Sequence, residues 1–339
     1  LRELKKTTMK PSAQIFHVAA EQANQTLATA LRAWLPQGLS WSDVRRLVRG
    51  RQVQINGNLC LDAGRRLKLR EVVRVLPHPA APPAREDDVR IRYLDPHLVV
   101  VEKPAGMTSV RHAEEQNWPA KRKQLQPTLE DLLPRIIAKK LGRPSGHGPR
   151  QAARTPPVRP VHRLDRETSG LMVFARTVPA ERHLGEQFRE HTTGRSYLAI
   201  VVGHIVAQTI ESQLVRDRGD GRRGSTREPG VGKRAVTHIE PLEALAGYTF
   251  VRCRLETGRT HQIRIHLAEA GHPICGEKVY IKPLRGPAMA DPSGAPRVAL
   301  HAAQLSLVHP TSGRTLTYEM PLPDDLARFL NRLRGQTSD

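Results

Sequence analysis

Apolar positions recur at helical spacing near the start of the chain and at strand spacing in several later segments. Leu27, Leu31, Trp34 and Leu35 share one side of a helix over Thr26–Leu35, which Pro36-Gln37-Gly38 ends. Ser40 then stands as an N-cap with Asp43 in the capping-box place. The helix it opens carries Val44, Leu47 and Val48 inward and Arg45, Arg46 and Arg49 outward until Gly50 stops it. Val53-Gln54-Ile55 alternates into Asn56-Gly57, a hairpin signal, and Val72–Leu76 reads as the strand that closes a small module. The Pro- and Ala-rich stretch Pro77–Arg85 is a linker by composition. A larger domain starts with Leu98-Val99-Val100-Val101-Glu102, which runs into the turn Lys103-Pro104-Ala105-Gly106. Further strands are expected at Gly170–Ala175, Tyr197–Val202, Thr249–Leu255, Leu305–Val308 and Arg314–Glu319. Helices are expected at Thr128–Leu141, Val178–Glu190 and Thr260–Ala270, with a last one opened by Pro323. Arg216–Arg234 reads as a Gly- and Arg-rich loop. Many strands with scattered helices and no regular βαβ alternation predict an α+β domain around a largely antiparallel mixed sheet. The expected boundaries are a disordered basic lead-in over 1–13, a small domain over 14–77, a linker over 78–90 and a large domain over 91–334 that carries a basic insertion at 111–160.

Charge adds a partner to this picture. The 54 Lys and Arg exceed the 33 Asp and Glu to give a formal net charge of +21, spread along the chain rather than confined to a tail. Solubility alone does not require such an excess, which points to a polyanion, nucleic acid first and an anionic membrane surface second. Arg45 to Arg70 holds eight basic residues and one acid, Asp62, so the small module presents a basic face. No apolar run approaches the roughly 20 residues of a membrane span, and none has the form of a secretory leader. Cys60, Cys253 and Cys275 suit neither a zinc site nor a disulfide framework, so a reduced, cytoplasmic protein with no metal is expected.

Candidate chemistry concentrates in Val161-His162-Arg163-Leu164-Asp165-Arg166-Glu167-Thr168-Ser169-Gly170-Leu171. Asp165 sits among apolar neighbours, where a carboxylate costs several kcal/mol unless it is paired. The structural alternative is an Asp that caps the turn at Thr168 and Ser169. Three other stretches accompany it. Arg195-Ser196-Tyr197 opens a strand, and Thr257-Gly258-Arg259-Thr260-His261-Gln262-Ile263-Arg264-Ile265-His266 is dense in phosphate-recognising side chains. On a helix from Thr260, the pairs Thr260/Arg264 and Gln262/His266 each share a face. Gly271-His272-Pro273-Ile274-Cys275-Gly276, with Tyr280, follows directly.

Two resemblances organise these segments. The small module resembles the alpha-L RNA-binding domain through Leu39–Ser42, the Arg-rich helix and Val53–Gly57. That resemblance implies that Arg45, Arg46, Arg49 and Arg51 grip RNA backbone. The larger domain resembles the RluA-type RNA pseudouridine synthases: His162–Gly170 matches their central motif throughout, and the Lys-Pro-Ala-Gly turn, the basic-x-Tyr strand and Gly258–His266 match in order. The resemblance implies an intramolecular transferase that isomerises uridine to pseudouridine without a cofactor. Large-subunit ribosomal RNA is the expected substrate, transfer RNA the alternative, and a monomer the expected state. It further implies Asp165 as nucleophile, Arg264 as its ion-pair partner and Tyr197 as the face under the target uracil and a helper in removing the ring proton. Arg163 would fill the space left by an extruded base, with His162 assisting and Ile263 as an apolar contact. Lys103, Arg259 and His261 would organise the site or bind phosphate. The chain departs from the family in two places. Gly276-Glu277-Lys278-Val279-Tyr280-Ile281 replaces Gly-Asp-x-x-Tyr-Gly, and the insertion at 111–160 is long; neither is expected to touch the catalytic groups. A binding-only assembly factor and a glycosidase pairing Asp165 with Glu167 are the competing readings.

Overall fold

The computed structural model describes residues 14–35, 39–56, 58–76, 85–111, 127–142, 156–219, 221–284 and 286–335. The lead-in over 1–13, most of the expected linker and much of the insertion lie outside these residues. The chain divides into two compact units, Leu1–Pro82 with Gly219–Arg222, and Pro83–Arg218 with Arg223–Asp339.

In the first unit, strand β1 (Gln14–His17) precedes helices α1 (Leu27–Trp34) and α2 (Trp41–Arg49), followed by β2 (Val53–Ile55), β3 (Asn58–Leu59) and β4 (Val72–Val75). The Ser40 hydroxyl accepts from the Asp43 N–H at 3.1 Å and the Asp43 carboxylate accepts from the Ser40 N–H at 3.0 Å, so the capping box forms as its spacing predicts. Leu27, Leu31, Val44, Val48, Val53 and Val73 build the core. The strands pair antiparallel in the order β1-β4-β2-β3. Strand β1 escaped the sequence reading because it is an edge strand with no buried face.

The second unit holds β5 (Arg90–Leu94), β6 (Leu98–Lys103), α3 (Leu129–Lys140), β7 (Arg159–Pro160), β8 (Ser169–Ala175), α4 (Val178–Arg189) and β9 (Gly194–Val202). It continues through β10 (Gln208–Val215), β11 (Gly224–Thr226), β12 (Lys233–Leu245), β13 (Tyr248–Leu255), α5 (Gln262–Glu269), β14 (Leu300–Val308), β15 (Thr315–Glu319) and α6 (Asp324–Gly335). One sheet runs β11-β10-β12-β13-β9-β14-β8-β6-β5, with β15 on β14 and β7 on β8. Among the described strands only β14 and β8 pair in parallel, so the mixed, mostly antiparallel α+β architecture is the one expected. Strands β6 and β8 are buried along their whole length, as continuous apolar runs require.

Three expectations need correction. Arg216–Arg234 is not all loop: it contains β11, and β12 begins at Lys233. Strands β10 and β12 were missed because β10 is largely polar and β12 carries Pro241 beside a register shift. Helix α5 starts at Gln262, so Thr260 lies before it and does not share a helical face with Arg264.

The parallel pair fixes the centre of the unit. Ala302 on β14 faces Gly170 on β8 and Tyr197 on β9, and the β14–β9 register then shifts between Ala302 and Gln304. Gly170 has φ +127°, and a Cβ there would overlap the Ala302 backbone, so only glycine allows the strands this close.

Buried histidines tie these layers together. His266 links the Thr237 hydroxyl (2.9 Å) and the Ser212 hydroxyl (3.0 Å), and His301 meets the Ser169 hydroxyl at 2.9 Å. Both are fully buried, and burial holds each at a pKa of about 4, below the ordinary 6.5. The unfolded chain therefore binds more protons than the folded one between pH 6.5 and about 4, and stability is lost as pH falls through that window. Urea unfolding at pH 5 should show roughly 2 kcal/mol less stability per histidine than at pH 7.5; His266→Gln should flatten part of the dependence.

Candidate active site

Asp165 lies in the loop between β7 and β8, and four backbone ties hold that loop. The fully buried Lys103 donates from Nζ to the carbonyls of Pro104 (2.9 Å), Met107 (2.8 Å) and Arg166 (3.2 Å). The Gly106 N–H donates to the Arg166 carbonyl at 2.8 Å, and Arg166 Nε returns a bond to the Gly106 carbonyl at 3.0 Å. Ser109 Oγ donates to the Leu164 carbonyl at 2.7 Å. From the opposite side Arg297 donates to the Glu167 carbonyl (3.1 Å) and to Ser169 Oγ (2.9 Å). The Lys-Pro-Ala-Gly turn is thus the clamp of this loop. Of the two roles expected of Lys103, organising the site or binding phosphate, its contacts agree with the first, since its Nζ meets three backbone carbonyls inside the protein.

The Asp165 carboxylate is not a turn cap. Its Oδ2 accepts from Arg264 Nη1 at 3.2 Å, and its Oδ1 lies 3.6 Å from His261 Nε2. Burial pushes the Asp165 carboxyl up, and the cationic field of His261, Arg264 and Arg163 outweighs it to leave the group below its ordinary range. Burial lowers the His261 pKa to about 4, so at neutral pH the guanidiniums of Arg264 and Arg163 keep Asp165 ionised. His261 itself has φ 60°, the left-handed region, which costs a non-glycine residue about 1–2 kcal/mol. Its Nδ1 meets Tyr280 Oη at 2.7 Å, which sets the ring's orientation.

Arg264 is held from behind by Glu277. Its Nε and Nη2 donate to the two Glu277 oxygens at 2.6 and 2.9 Å, and the Lys278 and Val279 N–H groups each donate to Glu277 Oε1 at 2.9 Å. The expectation that the divergent Gly276–Ile281 stretch stands apart from the catalytic groups is overturned: Glu277 grips Arg264, and Tyr280 bonds His261. The signal was the acid retained where the family has Asp. Gln262 and His266 do share a face, but both point inward. Gln262 Nε2 donates to the Val236 carbonyl (2.9 Å) and the Thr237 hydroxyl (3.0 Å), docking α5 on β12 rather than meeting phosphate.

Around this core the described structure forms two adjoining cavities. A small one of about 60 Å³ brings together Arg163, Asp165, Tyr197, His261, Ile263 and Arg264. A larger one of about 440 Å³ shares Asp165, Arg163, Tyr197 and Arg259 and adds His162 and Arg195. Tyr197 is buried, and burial raises its phenol pKa, so it stays protonated at neutral pH. Arg163 is exposed at the rim. His162 stacks on Phe188 at 4.5 Å and its Nε2 accepts from the Val173 N–H at 3.0 Å, which makes it a fixed wall. Sequence reasoning missed Phe188, Arg195 as a cavity residue, and Glu277.

Residues 97–269 match the model of a family described as RNA pseudouridylate synthase. The ribosomal large subunit pseudouridine synthase D of Nitrosomonas europaea is 40% identical over 252 residues, which are 73% of this chain and 66% of that protein. The protein of the same name from Salmonella typhimurium is 31% identical over 336 residues, 95% of this chain and 94% of its own. Among solved structures, human RNA Pseudouridylate Synthase Domain Containing 4 superposes with a TM-score of 0.54 at 26% identity, covering 72% of this chain and 92% of that one. The chain spans just under two thirds of the Nitrosomonas relative and nearly all of the Salmonella one. A family model over half of the chain and a relative matched almost end to end agree with the order of motifs and the clamped carboxylate: the chain belongs to the RNA pseudouridylate synthase family.

Proposed function

We propose that this protein isomerises uridine to pseudouridine in large-subunit ribosomal RNA, with Asp165 as nucleophile. The observation that carries the reading is one ionised carboxylate, paired to Arg264, sharing a small cavity with Tyr197. The reaction breaks the bond from ribose to ring nitrogen, turns the uracil and joins ribose to ring carbon five. That carbon releases its proton and the ring nitrogen takes one up, so there is no net redox change. Asp165 attacks the ribose or the ring and splits a hard step into two easier ones. Tyr197, protonated, is the face on which uracil stacks, and this role suits it better than that of base for the ring proton. A uridine in structured RNA reaches the cavity only by leaving its stack, at a cost of a few kcal/mol. In this reading exposed Arg163 fills the gap. A glycosidase reading finds no support in the acid expected to assist it, since Glu167 lines neither cavity.

The first unit serves as an RNA grip in this reading. Arg45, Arg46 and Arg49 project outward from α2, while Arg51 follows it with a φ of 64°. Arg46 also meets Asp43 at 2.5 Å on the surface, where such a pair contributes little.

Three outcomes test the proposal. With ribosomal RNA tritiated at uracil carbon five, the natural protein should release tritium and Asp165→Ala should release none while still binding RNA; binding without release by the natural protein would leave an RNA-binding factor. Glu277→Gln should lower the release rate about 100-fold with little change in RNA affinity, because Arg264 loses the charge that holds it. Arg45→Ala with Arg49→Ala should reduce the slope of log affinity against log salt by about two, and an unchanged slope would remove this unit from the interface.

A further inference from the structure

A third cavity of about 530 Å³ opens in the same unit, beside the two at Asp165. Its floor is apolar: Leu214 on β10 and Ile265 on α5 belong to one buried cluster with Ala235, Ala268 and Tyr280. Its walls carry Arg216, Arg223, Lys233 and Arg259, with no acid among the lining residues. Gly258, Arg259 and Thr260 line both this cavity and the larger of the two at Asp165, so the cavities are contiguous. Arg259 is fixed at the junction by donating from Nε to the Arg234 carbonyl at 3.0 Å.

The walls are held by a buried acid. Glu269, the last residue of α5, accepts from the Ser225 N–H (3.0 Å), from Ser225 Oγ (2.5 Å) and from Arg218 Nη1 (3.3 Å). An acid at a helix C-terminus is opposed by the helix dipole, and burial adds to the cost. The donors that satisfy it come from the segments bearing Arg216 and Arg223, so Glu269 draws both toward α5. Gly224 permits the approach, since a Cβ there would come within 2.9 Å of Glu269 Oε1.

An apolar floor under a cationic wall suits a nucleoside and its phosphate, and the volume lies within the usual range for small-ligand sites. We propose that this cavity seats a nucleotide of the substrate strand next to the uridine at Asp165, its phosphate held among Arg216, Arg223, Lys233 and Arg259. The proposal rests on the reading of Asp165 as the uridine site and extends it along the strand. Contacts to phosphate position a nucleic acid and do not read its sequence, so the seat sets which nucleotide arrives at Asp165 by distance.

The test uses the full chain on large-subunit ribosomal RNA. Arg216→Ala with Lys233→Ala should raise KM about tenfold and lower the salt slope of binding by about two, with the loss falling on KM rather than kcat. Arg314→Ala with Arg328→Ala removes the same charge from exposed positions elsewhere and should do neither. Glu269→Gln should raise KM in the same direction while leaving all four cations in place. The seat is refuted if the Arg216/Lys233 variant matches the natural protein in KM and slope, or if the Arg314/Arg328 variant shows equal losses. A natural protein that isomerises no uridine would overturn the function proposed above, and the slope comparison would still decide the seat.

Discussion

Everything at the centre of the second unit depends on one guanidinium placed between two carboxylates. Arg264 is nearly buried, and Glu277 more so, at 10% and 1% side-chain exposure. Taking either charge out of water alone costs several kcal/mol. Glu277 resolves the problem by matching two Arg264 N–H groups and accepting two backbone N–H groups, which leaves Nη1 aimed at Asp165. The two carboxylates hold the Arg264 charge in place against burial, and Arg264 in turn keeps Asp165 ionised. Removing Arg264 would leave both carboxylates uncompensated, so the chain of contacts acts as a unit.

Much of this was legible beforehand because it is local. The cap at Ser40, the helix that opens near Thr128, the apolar runs of β6 and β8, and the motif around Asp165 all announce themselves within a few residues. Strands β10 and β12 did not, because their pairing lies in partners rather than in any alternation of their own residues. The site divides in the same way. Asp165, Tyr197 and Arg264 carry motif signals, whereas the contacts of Glu277 and Tyr280 with the site show only when the chain brings them back to Arg264 and His261. Lys103 teaches a related point: a lysine in a motif invites a role with phosphate, yet full burial among three carbonyls gives it one in the backbone.

The Asp165 loop and the basic wall are held by separate contacts. The Asp165 loop is tied from both sides, by the Lys103 turn and by Arg297, so its position follows from the sheet. The basic wall from β10 to β12 is held to α5 through Glu269. Chemistry and strand placement are thus carried by different structural layers.

Ala302 has a consequence beyond its own contacts. Its backbone faces Gly170 on one side and Tyr197 on the other, making a single residue the spacer between the strand that delivers Asp165 and the strand that bears Tyr197. A one-residue slip in a strand sends every side chain to the opposite face. A deletion or insertion within β9 or the first half of β14 would therefore turn Tyr197 away from Asp165, however well the sheet re-formed. Loops around the sheet can lengthen over evolutionary time; these two strands can change their letters but not their count.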